Sequence, residues 1–186
     1  IEHTEQLKQH AWIKEKNKTD AIDQLRIALV TFDDAVTELI QARSNPDIQS
    51  PAMAIGRTKM QVYNDQVVNA LNVALNETIS ESQNVITTNY KKFDNIKSLW
   101  TQMISIFRIY LANSIGSYDI ASIPLQEKAI QTIFNELQAN INYLKNVDAN
   151  NGLGFESSDA LLTVNTAIYM WNKGFQEILK IHKSTN

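Results

Sequence analysis

From Ile22 onward the apolar residues fall at Ile22, Leu25, Leu29, Phe32, Val36 and Leu39. Intervals of three and four place them on one face of a helix, as in the seam of a packed bundle. The same spacing returns in Met60, Tyr63, Val67, Leu71, Ala74 and Thr78, and again in Phe93, Ile96, Trp100, Met103, Phe107, Tyr110 and Ser114. It continues in Ile130, Ile133 or Phe134, Leu137, Ile141 and Leu144, and in Leu161, Val164, Ile168, Trp171, Phe175, Ile178 and Ile181. No strand-like alternation persists. The pattern predicts an all-α protein, an antiparallel bundle of four to five long helices.

The breaks between seams are less uniform. Residues 13–20 are polar, and form either a solvated stretch of one long helix or an interruption capped by Thr19 or Asp20. Asn45-Pro46-Asp47 ends the first helix and Pro51 opens the next; Gly116-Ser-Tyr-Asp119 closes the following segment and Pro124 opens another. Asn150 to Phe155 is a loop, with Ser158 just ahead of the last helix. Between Ala52 and Ile115 there is no Pro and a single Gly, Gly56. Within it, Val85-Ile-Thr-Thr-Asn-Tyr90 is made of mediocre helix formers. It forms either a turn or a weak point in one helix of roughly 64 residues, about 96 Å long. A continuous helix would be shared by two stacked modules. Residues 1–186 are accordingly read as one bundle domain with a possible module junction near 85–90.

Composition narrows the function by exclusion. Five Gly and three Pro in 186 residues leave few turns for an all-β or Rossmann-like fold. With 44% hydrophobic and 20% charged residues the chain can bury a core. A net charge of −3 gives no basic face for nucleic acid. Without cysteine there is no disulfide, thiolate metal site or thiol nucleophile. No run approaches the roughly 18 apolar residues of a membrane span. The first residues, Ile-Glu-His-Thr-Glu-Gln-Leu-Lys, start within a helical pattern without a signal peptide, as in a piece excised from a longer protein. Any membrane attachment is expected through flanking segments.

Catalytic chemistry is not evident. His3 and His10 share a helix face but lack acidic neighbours at metal spacing, and no Glu-x-x-His pair occurs. Asp33, Asp34 and Glu38 form an acidic patch of the kind that faces water. Phosphate loops, Gly-x-Ser-x-Gly elbows and zincin motifs are missing. The expectation is a non-enzyme with no cofactor and no metal. Trp12, Trp100, Tyr110, Tyr143, Tyr169 and Trp171 serve either as core or as pocket walls, core being the ordinary reading. Arginine is scarce: Arg26, Arg43, Arg57 and Arg108. Arg108 sits among Ile104, Phe107, Ile109 and Leu111, and either snorkels to water or offers its fork to a carboxylate. In a net acidic chain an anion site has to come from a specific cation. Arg108 is the first candidate, with Arg57 in reserve and Trp100, Tyr63 and Tyr110 completing the ligand-binding set. Long amphipathic helices also leave an apolar stripe that one chain does not cover, so a homodimer is expected.

Two stretches, Gln24-Leu-Arg-Ile-Ala-Leu-Val-Thr-Phe-Asp-Asp-Ala-Val36 and Met103-Ile-Ser-Ile-Phe-Arg-Ile-Tyr-Leu-Ala-Asn-Ser114, each carry an Arg on a heptad helix. The last helix adds Tyr169-Met-Trp-Asn-Lys-Gly-Phe175. This pattern resembles the extracytoplasmic helical sensor domains of bacterial chemoreceptors and sensor kinases, of the four-helix-bundle or helical bimodular type. Ala54-Ile-Gly-Arg-Thr-Lys-Met60 is similar to the Ala-Gly-Arg-Gln-Arg-Met stretch of nitrate-sensor and pilus-chemoreceptor domains. It departs from that stretch at several positions, so nitrate recognition does not carry over. The resemblance implies a periplasmic portion of an inner-membrane receptor. Such a domain binds a small organic anion, or a periplasmic binding protein, and signals by a small helix displacement. A domain hung between two membrane segments prefers a continuous helix through 85–90, or a break near Lys18. Five passes with distant termini would count against it. The competing expectation is a non-catalytic helical scaffold or partner-binding protein.

Overall fold

The computed structural model describes residues 16–44, 50–83, 85–116 and 119–185. Trp12, His3, His10 and the Asn45-Pro46-Asp47 stop signal lie outside them. The described elements are helical, with no strand among them. Contacts divide the chain into two units, Ile1–Gln49 and Ser50–Asn186.

In the first unit, α1 spans Lys16–Ser44. It runs unbroken through Thr19 and Asp20, so neither residue caps a helix start and no break occurs near Lys18. Its seam is not buried. Leu25, Leu29, Phe32 and Leu39 are exposed, and Ile22 and Val36 only half-buried.

The second unit begins with α2 (Pro51–Ile55), a π-helical turn (Gly56–Met60) and α3 (Gln61–Glu81), which follow one another without leaving helical geometry. Then come α4 (Thr88–Gly116), a 3₁₀ turn (Ile120–Ser122), α5 (Ile123–Ala149) and α6 (Phe155–Thr185). Pro51 and Pro124 stand at first-turn positions, where a missing N–H costs nothing. Cross-helix bonds give the topology. Trp100 Nε1 donates to Asn64 Oδ1 (3.1 Å) and Lys97 Nζ to Asn72 Oδ1 (2.9 Å), which sets α4 antiparallel to α3. Lys92 Nζ reaches Asn140 on α5 (3.1 Å), and Lys145 Nζ reaches Asn165 on α6 (2.9 Å). Lys59 with Glu177 at one end, and Glu77 with the start of α6 at the other, close α6 back on α3. The unit is a four-helix antiparallel ring, and Ser50 and the end of α6 lie at the same end of it. Here the predicted seams are the core: Met60, Val67, Leu71, Phe93, Ile96, Trp100, Met103, Leu137, Ile141, Val164, Ile168 and Trp171 are all buried.

One boundary that the sequence left open is a turn, and another lies a few residues from its expected place. The stretch after α3 is a turn, so the long shared helix does not exist. Ser82 Oγ bonds back to Thr78 O (2.9 Å), Gln83 takes a left-handed φ of 54°, and Val85 to Thr87 are non-helical. Thr87 Oγ1 then accepts from the Tyr90 N–H (3.2 Å) as α4 begins. The last helix starts at Phe155, ahead of Ser158. Its free N–H groups at Glu156 and Ser157 are taken by the carboxylate of Glu77, a residue of α3. Burial pushes the Glu77 carboxyl up, but the bonds from Ser157 and Glu156 outweigh it and hold the group below its ordinary 4.5. A side chain on another helix thus caps the start of α6.

Candidate functional site

Helices carry their side chains on fixed faces, so a cavity in a bundle forms where packing is interrupted. The π turn is such an interruption. The Gln61 N–H donates to Gly56 O, five residues back, which adds one residue to the turn. The widened turn pushes Met60 inward against α6 at Gly174, where a Cβ would lie 2.9 Å from Met60 Cγ. On the outer side, Gly56 has no side chain to fill the space beside Leu111 and Phe107, 3.2 and 3.8 Å from where its Cβ would be. What remains is a cavity of about 270 Å³ between α2, which contributes the exposed Met53, the π turn, α3, α4 and α6.

Its floor is apolar: Met60, Ile104, Phe107, Leu111 and Trp171. Met60 and Trp171 are both 1% exposed, so this floor is continuous with the core. Its rim is polar and cationic, formed by Arg57, Arg108, Gln61 and Asn64. Arg57 and Arg108 lie 51 positions apart in sequence, and the fold brings both to one opening. Both are exposed. Among the described residues the Arg108 guanidinium has no hydrogen-bond or ion-pair partner, whereas Arg57 has an interaction of its own. No Asp, Glu or His lines the cavity. It therefore has the means to hold a negative charge and lacks any acid or base to carry a proton transfer.

The three predicted aromatic members fall elsewhere. Trp100 is buried one layer behind the rim and holds Asn64 in place through its indole N–H. Tyr63 is half-buried against the core and does not line the cavity. Tyr110 is fully buried away from it, its hydroxyl 2.6 Å from His182 Nδ1. Burial, with the Glu127 carboxylate beside it, pushes the Tyr110 phenol up; burial also lowers His182 against the opposing pull of Glu127. The pair is thus neutral and structural. Of the other aromatics, Trp171 is both core and cavity floor, while Tyr143 and Tyr169 sit under Lys92 and Lys173 at 5.0 and 4.9 Å. Met60, Asn64 and Phe107 were not singled out for the site, Trp171 was named as either core or pocket wall and is both, and Gly56 was noted only as the lone glycine of its segment. That lone glycine was the available signal.

From the floor an aromatic series runs along the bundle: Trp100 to Trp171 at 5.5 Å, Trp171 to Phe107 at 5.0 Å, Phe107 to Phe175 at 5.9 Å and Phe175 to Tyr110 at 5.6 Å. Most of these contacts are edge-to-face, the arrangement ring quadrupoles favour. The series ends on His182, near the end of α6.

The second unit belongs to the class of antiparallel four-helix bundles with a cation-rimmed, apolar-floored cavity at one end. Beyond that class, no protein family, curated protein or solved structure matches the chain.

Proposed function

We propose that this chain is the extracytoplasmic ligand-sensing part of a bacterial transmembrane receptor, a chemoreceptor or sensor kinase. In this reading it binds a small organic anion and signals by helix displacement. The observation that carries the proposal is the meeting of Arg57 and Arg108 at one cavity whose floor includes Trp171 of α6. A ligand seated there touches α6 directly, and the aromatic series extends that contact toward the helix end. Packed rings move between discrete arrangements and not continuously, which suits a two-state displacement. The turn after α3 removes the continuous helix this reading preferred. With α1 unbroken near Lys18, neither arrangement this reading preferred is present; the second unit has four antiparallel passes of its own, and the proposal rests on the cavity. No described helix is long and apolar enough to cross a membrane, so attachment in this proposal belongs to flanking chain. A homodimer formed through the exposed face of α1 is part of the same reading.

The alternative is a non-catalytic helical scaffold, which that same uncovered face favours. A thermal-shift screen of organic acids on the whole chain, followed by calorimetry on Arg108→Ala, separates the two. Hydrogen bonds to charged groups contribute about 1.5–3 kcal/mol, so the variant should bind an acid about 10- to 150-fold more weakly. Because Arg108 stands exposed at the rim, the effect is a weakening, smaller than the loss of a fully buried ion pair. No acid bound, or equal binding by the variant, leaves the scaffold.

A further inference from the structure

We infer that the cavity takes a monocarboxylate with an apolar body, of the aryl-alkanoic acid class, in preference to a hydrophilic dicarboxylate or an amino acid. The inference rests on the anion-binding reading above and concerns which anion. The cavity is divided by chemistry: apolar side chains make the floor, and the polar groups are confined to the rim. A ligand that matches this division has its charge at one end and its hydrocarbon at the other.

Each competing class brings a group that the cavity matches poorly. An amino acid brings an ammonium, and no carboxylate lines the cavity to receive it. Asn64 Oδ1 already accepts from the Trp100 indole and Gln61 Nε2 donates to Asp65, so only neutral amide oxygens at the rim remain to accept from an ammonium, a weaker match than a carboxylate. A dicarboxylate needs two cations. Of the two rim arginines, Arg57 already has an interaction of its own and Arg108 has none among the described residues, so a second carboxylate would have to compete for Arg57 or enter the apolar floor. A second carboxylate on the apolar floor would be desolvated against Met60, Phe107 and Trp171 without compensation. The monocarboxylate avoids both costs. Its head meets the Arg108 fork, and its body replaces water over the Phe107 and Trp171 rings. A ring fits in size, since a cavity of about 150 Å³ holds benzene and this one is about 270 Å³. The Met60 thioether beside the floor adds a soft, polarizable contact for an aromatic face.

The test is calorimetry on the whole chain with phenylacetate, 2-phenylethanol, succinate and aspartate, and with Arg108→Ala and Ile104→Asn. Ile104 is half-buried, so thermal unfolding of each variant confirms that it is folded before its binding is read. Phenylacetate should bind at least tenfold more tightly than the other three. Arg108→Ala and Ile104→Asn should each weaken it by tenfold or more, the first through the head and the second through the body. Succinate or aspartate binding more tightly than phenylacetate, with Arg108→Ala still weakening it, overturns this inference and leaves the anion-binding reading intact. Phenylacetate and 2-phenylethanol binding equally well, or no ligand binding the folded chain, overturns both.

Discussion

Glu77 shows how much one side chain contributes to this bundle. It is an α3 residue that accepts two main-chain N–H groups at the start of α6, where four donors would otherwise face water or nothing. Its space depends on Gly154, where a Cβ would collide with the ends of Glu77 and Glu81. Removing a helix cap costs about 0.5–2 kcal/mol, and Glu77→Ala should lose about that much in urea denaturation at neutral pH. The sign with pH follows from the lowered carboxyl. The ionised form is the one favoured by folding, so its contribution is complete above the ordinary value of 4.5 and lost as pH falls through the lowered one. The gap between wild type and Glu77→Ala should therefore close in acid. A gap of constant size down to the acid-unfolding limit would mean that the charge of Glu77 does not hold α6.

At the scale of elements, the π turn is where sequence, packing and site meet. It places Met60 against Gly174, leaves room beside Gly56, and so creates both the close approach of α6 and the cavity. A methyl group at 174 would press on a Met side chain that is 1% exposed and has little room to retreat. Overpacking of this kind costs about 1–3 kcal/mol, which is the expected loss for Gly174→Ala. Combining it with Met60→Ala should recover part of that loss, giving a favourable coupling in a double-mutant cycle. Strict additivity would show that the two residues do not share the space.

For the whole molecule, the contrast between the two units is the main fact. Four seams of the Ser50–Asn186 unit find partners in their own chain, whereas α1 leaves Leu25, Leu29, Phe32 and Leu39 exposed. Ile22, Leu29 and Val36 alternate along that seam with Leu25, Phe32 and Leu39, the a and d spacing of a coiled coil. Ala21, Ala28 and Ala35 flank it at every seventh position, where they neither repel nor obstruct a second helix. The full chain should dimerise with rising concentration in sedimentation equilibrium, and Leu29→Asp with Phe32→Asp should return it to monomer without changing the unfolding of the bundle. A wild-type chain that stays monomeric at high concentration, with and without acids, would remove the dimer.

Helix faces were legible in the sequence because they depend on the 3.6-residue period and on nothing else. Phe93, Ile96, Trp100 and Met103, or Leu161, Val164 and Ile168, are core residues simply because they recur on one side. Pro51 and Pro124 likewise act through their own rings. The anion-site candidates were legible in part: Arg57 and Arg108 stand out as scarce cations near apolar neighbours, yet their common cavity depends on which faces of α2, α3 and α4 turn together. Trp100, Tyr63 and Tyr110 completed the expected set, and none of them lines the cavity. The turn at 82–87, the start of α6 and the register that brings Trp171 under the rim were settled by tertiary structure. Each rests on a contact between residues distant in the chain, or on competition between side-chain and main-chain bonds, and no local pattern encodes those. Periodicity determines which side of each helix is buried; only packing decides what it is buried against, and where packing leaves a gap for a ligand.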